Sequence, residues 1–150
     1  METGSASIVI NRPPAEVFAA ISDVTRTGEW SPECTGGRWV GEATGPQVGA
    51  SFEGDNVAMV FGRALKKWTT TSKVSACEPG VVFEFVAEEY TTWRYDLKPE
   101  GDGTRVTESF SYVKQGFQGF VYTTVMRRPG AMTKGMGRTL ERLKAALEAA

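Results

Sequence analysis

The sequence predicts an α+β fold in which a curved antiparallel sheet of about seven strands wraps around one long C-terminal helix. Residues 91–113 alternate between apolar and polar side chains around the turn sequence Glu100–Gly103, which is typical of antiparallel strands with one dry face. After residue 130, apolar residues recur at steps of three and four, which is typical of a helix with one buried face.

The chain begins with a strand and two short helices. A first strand is predicted over Ala6–Ile10, because this run is rich in β-branched residues. The two prolines that follow end the strand, and they suit the start of a helix that runs from Ala15. The pair Ser22–Asp23 can then cap a second short helix over Val24–Trp30.

The middle of the chain is predicted to be extended. Glycine-rich residues 36–54 are predicted to form a hairpin around the turn Gly45–Gly49. We expect Asp55 and Asn56 in a turn, and the alternative is that Asn56 faces the interior as a hydrogen-bonding group. Four more strands are predicted at Lys66–Cys77, Val81–Glu88, Thr91–Pro99 and Thr104–Val113.

Helical spacing returns after Lys114. It covers Phe117–Val125, is interrupted at Arg128–Gly130, and resumes as a single apolar stripe. That stripe consists of Met132, Met136, Leu140, Leu143 and Leu147. Because no repeat, low-complexity tract or linker divides the sequence, we predict one domain over residues 1–150.

Charge and cysteine usage restrict the partners and the compartment. The 17 basic and 18 acidic residues give a formal charge of −1, which argues against nucleic acid and against a polybasic membrane contact. No run of 18 apolar residues exists, so no stable membrane insertion is expected. Two cysteines without a secretory signal predict reduced thiols and a cytoplasmic protein. Cys34 is expected to be an unreactive small residue.

The absence of histidine restricts the chemistry. It excludes Ser-His-Asp and Cys-His catalysis as well as histidine-ligated zinc and haem. We expect neither a metal nor a cofactor, and any reaction must use carboxylates, Tyr, Lys, Arg or Cys.

Bulky side chains are predicted to point between the sheet and the helix. On the sheet they are Trp39, Phe52, Trp68, Phe83, Phe85, Trp93, Tyr95, Phe110 and Tyr112, and the helical segments add Phe117, Phe120, Met132 and Met136. Trp and Tyr carry polar edges that need partners, which favours a ligand cavity. The alternative is that these rings fill the core completely.

Glu108 falls on the same face of its strand as Val106 and Phe110. An inward carboxylate must be paired, hydrated or protonated, and a ligand cavity satisfies that requirement. The alternative is a structural ion pair with a neighbouring Arg or Lys.

Four segments carry a family resemblance. They are IVINRPPAEVF at residues 8–18, DVTR and EWSP within residues 23–32, VGASFEG at residues 48–54 and GTRVTES at residues 103–109. Together they resemble the START/Bet v1-like (SRPBCC) superfamily, in its polyketide cyclase/dehydrase-like branch. The resemblance implies a helix-grip fold with a hydrophobic cavity between sheet and helix. It also implies a lipid, sterol, polyketide or hormone as ligand and, in some members, cyclisation or dehydration.

Three hypotheses follow, and the first is preferred. The protein binds or carries a hydrophobic small molecule, as a monomer or homodimer, with Glu108, Tyr95, Trp68 and Trp93 as polar anchors. Alternatively it is a cyclase or dehydratase in which Glu108 is the base and Tyr95 or Tyr112 the donor. The family's cyclases often use an inward Arg, whereas Arg94 and Arg105 are predicted to face outward. The third hypothesis is a surface interaction module that uses Arg127, Arg128, Lys134 and Arg138.

Overall fold

A computed structural model describes residues 2–31, 34–60, 63–112 and 129–149. Within them lie seven strands: β1 (Glu2–Ile10), β2 (Cys34–Val40), β3 (Ser51–Val60), β4 (Arg63–Glu78), β5 (Val82–Ala87), β6 (Thr91–Glu100) and β7 (Gly103–Tyr112). The helices are α1 (Pro14–Ser22), a 3₁₀ helix (Val24–Glu29) and α2 (Pro129–Ala149).

The strands form one curved antiparallel sheet in the order β1-β7-β6-β5-β4-β3-β2. Each consecutive pair from β2 to β7 is a hairpin, and β1 closes the order by pairing with β7 along its whole length. The predicted helix-grip α+β fold is therefore confirmed. Sheet and α2 share one interior, to which α2 contributes Met136, Leu140 and Leu143 and the sheet contributes Phe83 and Val106, all at most 2% exposed.

Several elements differ from the predictions in their bounds or type, among them β1, the second short helix and α2. Strand β1 begins at Glu2 rather than Ala6, because its polar residues also pair with β7. The second short helix is a 3₁₀ helix, capped by the Asp23 carboxylate, which accepts a hydrogen bond from the Thr25 N–H. The interruption predicted around Pro129 is the start of α2, where proline costs no hydrogen bond.

The turn expected at Asp55 and Asn56 is wrong. Both residues lie inside β3, where they pair with Thr69 and Trp68 of β4. Because β3 is flanked by β2 and β4, ladder hydrogen bonds on both sides override the turn preference of the two residues. The helical segment predicted at Phe117–Val125 lies outside the described residues.

The 3₁₀ helix is pressed against β2 at two glycines. A Cβ atom on Gly28 would lie 2.3 Å from the Thr35 carbonyl oxygen, and one on Gly37 would lie 2.6 Å from the Val24 carbonyl oxygen. Since real side chains do not approach backbone so closely, glycine is required at both positions. The 3₁₀ helix therefore packs directly against the backbone of β2.

The C-terminal half of α2 is fixed to the end of β1. The Lys144 ammonium donates a hydrogen bond of 2.8 Å to the Val9 carbonyl oxygen and also binds the Glu148 carboxylate. That carboxylate accepts a 2.9 Å hydrogen bond from the Asn11 N–H. Lys144 therefore occupies a carbonyl on the free edge of β1.

Candidate functional site

Glu108 and Tyr95 are direct neighbours on the inner face of the sheet. They are register partners across β6 and β7, between the inward pairs Leu97–Val106 and Trp93–Phe110. Glu108 is 4% exposed, and the Tyr95 hydroxyl donates a hydrogen bond of 3.1 Å to its Oε2 atom. The period-2 prediction for the facing of these two strands is confirmed, because neither strand contains a register shift against the other.

The second carboxyl oxygen of Glu108 has no such contact. Oε1 is buried, and no described residue forms a hydrogen bond with it. Burial raises the pKa of Glu108 to about 8, although the hydrogen bond from Tyr95 acts in the opposite direction. Glu108 is thus mainly a neutral acid at pH 7. Since Oε2 accepts from Tyr95, the proton belongs on Oε1, which becomes a buried donor without an acceptor among the described residues.

Within the part of the chain that the structure describes, no Arg or Lys forms the alternative ion pair with Glu108. Arg94 binds Glu84 and Asp96 at 2.9 and 3.0 Å, and Arg105 binds Glu100 at 3.0 Å. Both arginines lie on the outer face, as predicted. Among the ion pairs of the described residues, none includes Glu108.

Aromatic rings line the inner face on either side of this pair. Edge-to-face contacts join Phe52 to Trp39 at 5.5 Å and to Phe85 at 5.0 Å, measured between ring centroids. Trp93 and Phe110 lie 5.6 Å apart and pack with Met136. Phe52 and Phe110 are buried, so part of the predicted aromatic set forms packed core.

A second group of polar side chains lies on the inner face of β2, β3 and β4. The Asn56 amide donates hydrogen bonds of 3.0 Å to the Gly54 carbonyl oxygen and 3.2 Å to Thr70 Oγ1. The Cys34 thiol donates to the Gly36 carbonyl oxygen at 3.2 Å, and burial raises its pKa. Cys34 is therefore a neutral thiol at pH 7, in keeping with its predicted inertness.

Both polar groups border the same part of the interior, because Tyr95 of β6 packs against the buried cluster that includes Phe52 of β3. The pKa of Tyr95 is raised far above its ordinary value, first by burial, then by Glu108 through its charge and hydrogen bond. A smaller rise comes from the charge that an ionised Cys34 would carry. Cys34 pairs with Asn56 in the register of β2 and β3, so both side chains belong to the β2–β3 part of the inner face.

The predicted site residues therefore divide into three sets. Those on the inner face of the sheet are Trp39, Phe52, Trp68, Phe83, Phe85, Trp93, Tyr95, Glu108 and Phe110, and Met136 faces them from α2. Tyr112 and Met132 lie in β7 and α2, but their side chains are not among those described. Phe117 and Phe120 lie outside the described residues, as do Arg127 and Arg128.

Thr70 was not predicted as a site residue, and Cys34 was expected only as an unreactive small residue. Thr70 stands in the run Thr69–Thr71 and shares the predicted inner face with Trp68, but a small hydroxyl residue in such a run does not by itself indicate a site. Cys34 stands just before a register shift in β2, between Cys34 and Gly36, which breaks the simple alternation.

A shallow depression lies on the outer face of the sheet. Its lining includes Thr3, Ser5, Thr92, Arg94 and Ser109. It faces away from Glu108, so it is not the predicted interior cavity, which stays a prediction. Among the described residues, no cluster of three or more potential metal ligands occurs. The described helices include none that is long and apolar enough to cross a membrane.

The profile of one protein family, described as polyketide cyclase/dehydrase and lipid transport, matches residues 1–148. The chain belongs to this family. Among curated proteins, no sequence matches significantly.

Solved structures agree with membership of the polyketide cyclase/dehydrase and lipid transport family. The chain is 34% identical to the polyketide cyclase-like protein Cgl2372 from Corynebacterium glutamicum, with a TM-score of 0.66 and coverage of 97% of this chain and 91% of that one.

Two more distant structures share the fold. The AHSA1-like protein from Aeromonas hydrophila is 20% identical, with a TM-score of 0.69 over 99% of this chain and 93% of that one. The protein CV1439 from Chromobacterium violaceum is 15% identical, with a TM-score of 0.72 over 97% of both chains. The family match over residues 1–148 and the 34% identity to Cgl2372 confirm the predicted superfamily.

Proposed function

We propose that this protein binds and carries a neutral hydrophobic small molecule between the inner face of the sheet and α2. One observation carries the proposal: the buried Oε1 atom of Glu108, which has no hydrogen-bond partner among the described residues. A buried polar group without a partner costs about 1–3 kcal/mol, and a ligand oxygen would remove that cost. Membership of a family described by lipid transport as well as cyclisation supports the same proposal.

The arrangement favours a ligand with a carbonyl or ether oxygen. The protonated Oε1 is a donor, and the adjacent Trp93 and Phe110 rings supply apolar contact on the same face. A carbonyl oxygen that accepts from Oε1 would leave the hydrogen bond from Tyr95 to Oε2 in place.

The test compares two ligands that differ only in the carbonyl group. The affinities are read from displacement of the neutral fluorescent probe N-phenyl-1-naphthylamine. We expect 2-acetylnaphthalene to bind about 3–10-fold more tightly than 2-ethylnaphthalene, since the two compounds differ by one hydrogen bond. Glu108→Leu should abolish that preference while the probe still binds. Native mass spectrometry of freshly purified protein would show co-purified ligand mass directly.

The control is Glu100→Gln, because Glu100 is an exposed residue paired with Arg105 on the outer face. It should behave as the unaltered protein. Equal affinity for both naphthalenes in the unaltered protein would contradict the role of Glu108, and failure of every compound to bind would contradict the proposed function itself.

A second candidate is an acid–base enzyme of the cyclase or dehydratase kind. The specific observation in its favour is the carboxyl of Glu108, whose pKa of about 8 allows both protonation states near neutral pH, in contact with the phenol of Tyr95. Glu108 would remove the proton next to a ketone, and Tyr95 would donate to the developing oxyanion. Glu108→Gln should then abolish turnover of a linear poly-ketone, and an unchanged rate would remove Glu108 from the mechanism.

A further inference from the structure

Asn56 presents an unused acceptor on the inner face of β3. Both amide hydrogens are engaged, one with the Gly54 carbonyl oxygen and one with Thr70 Oγ1. A carbonyl oxygen can only accept, so the contact with Gly54 fixes which end of the amide is nitrogen. The opposite end, Oδ1, forms no hydrogen bond with any described residue and is free to accept one from a ligand.

Thr70 holds the Asn56 amide in this orientation. Its hydroxyl accepts from Asn56 and donates to the Gly54 carbonyl oxygen at 3.4 Å. Gly54 has no side chain between these groups: a Cβ there would meet Thr70 Oγ1 at 3.5 Å and Cys34 Sγ at 3.7 Å. The acceptor is thus positioned by a closed ring of contacts, which reduces the entropy cost of binding to it.

This acceptor lies on the wall that faces Glu108 and Tyr95. Asn56 lies on the same face of β3 as Phe52, and Phe52 belongs to the buried cluster against which Tyr95 packs. Among the described residues, Oε1 of Glu108 is therefore a donor without an acceptor. Oδ1 of Asn56 is an acceptor without a donor. The surfaces around both are aromatic, with Trp68 as the register partner of Asn56 and Trp93 beside Tyr95.

We propose that the ligand carries two oxygen functions on an apolar skeleton: an acceptor oxygen bound by Glu108 and a hydroxyl that donates to the side-chain carbonyl of Asn56. Hydroxy-ketones are the class that fits both ends. The proposal rests on the proposed function, and it assigns Asn56 to ligand specificity and Thr70 to its positioning.

The test adds a second oxygen to the ligand used above. The probes are 2-acetylnaphthalenes with a hydroxyl at position 5, 6 or 7, so that different spans between the walls are covered, together with the matching methoxy compounds, which cannot donate. We expect at least one hydroxy isomer to bind about 3–10-fold more tightly than its methoxy counterpart. Asn56→Leu should abolish that difference and leave the affinity for unsubstituted 2-acetylnaphthalene unchanged.

Thr70→Val supplies a variant of nearly the same shape, and Thr69→Val is its matched control. Thr69 lies on the outer face, where its hydroxyl donates to Asp55. Thr70→Val should reduce the hydroxy preference, whereas Thr69→Val should not. If 2-acetylnaphthalene binds but no hydroxy isomer is preferred, or if Asn56→Leu retains the preference, the inference is overturned while the proposed function stands. If no naphthalene binds, both fail.

Discussion

Between pH 5 and pH 8, the protein is expected to lose about 3–4 kcal/mol of unfolding free energy that its Glu108→Gln variant does not lose. In the unfolded chain Glu108 titrates at its ordinary value of 4.5, whereas burial raises the pKa to about 8 in the folded protein. Over this interval the unfolded chain gives up the proton first and therefore binds fewer protons. Stability accordingly falls by about 1.4 kcal/mol for each pH unit, over roughly three units.

The measurement is a series of urea unfolding curves at 25 °C from pH 4 to pH 9 for both proteins. Glutamine keeps an oxygen for Tyr95 but cannot ionise. The difference in unfolding free energy between the two proteins should therefore change with pH through the titration of Glu108. Any cost of its buried amide hydrogens shifts the curve by the same amount at every pH. Glu108→Leu gives a second non-ionising comparison. Parallel curves for the unaltered and variant proteins would show that Glu108 is ionised in the folded state at neutral pH.

Phe83→Ala is expected to lower the unfolding free energy by about 3–5 kcal/mol, the usual cost of truncating a fully buried ring. Phe83 is 1% exposed and contacts Phe18 edge-on at 6.3 Å between ring centroids and Phe85 at 5.8 Å. It is also the register partner of Tyr95. Space opened there would admit water beside the Glu108–Tyr95 pair, and the pH dependence of stability should become shallower.

The midpoint of urea unfolding at an unchanged slope measures the loss. Val81→Ala is the control on the neighbouring turn, because Val81 is 45% exposed and should change stability by less than about 0.5 kcal/mol. Phe85→Ala removes a ring of the same row that is only partly buried, so its loss should be smaller. Equal losses at the two phenylalanines would contradict a core centred on Phe83.

The fold could be predicted because several elements carry a regular pattern. Strands β6 and β7 alternate without a shift, and the stripe in α2 repeats at helical spacing. The β5–β6 turn illustrates what could not be predicted in detail, since Glu88 and Glu89 adopt left-handed φ values of 53° and 63° that favour Gly or Asn. Tertiary contact overrides local preference there: the Glu88 carboxylate accepts a hydrogen bond of 2.7 Å from the Thr71 N–H.

Half of the polar site could be predicted in the same way. Glu108 and Tyr95 stand on regular strands, so their facing follows from counting residues. The inward-facing amide of Asn56 was predicted only as an alternative to a turn, because glycines and a register shift in β2 obscure the alternation, and its partner Thr70 was not predicted. Contacts between distant strands leave no local signal in the sequence.

The hydrogen bond between Lys144 and the Val9 carbonyl oxygen bears on the order in which parts of the chain can fold. Residues 2–10 find their strand partner only in residues 103–112, and the free carbonyl of Val9 finds its donor only in α2. During synthesis β1 therefore stays unpaired until residues 103–112 have left the ribosome. Pairing between segments so far apart in the chain predicts slow folding. The edge of β1 also stays open to pairing with other chains until α2 docks.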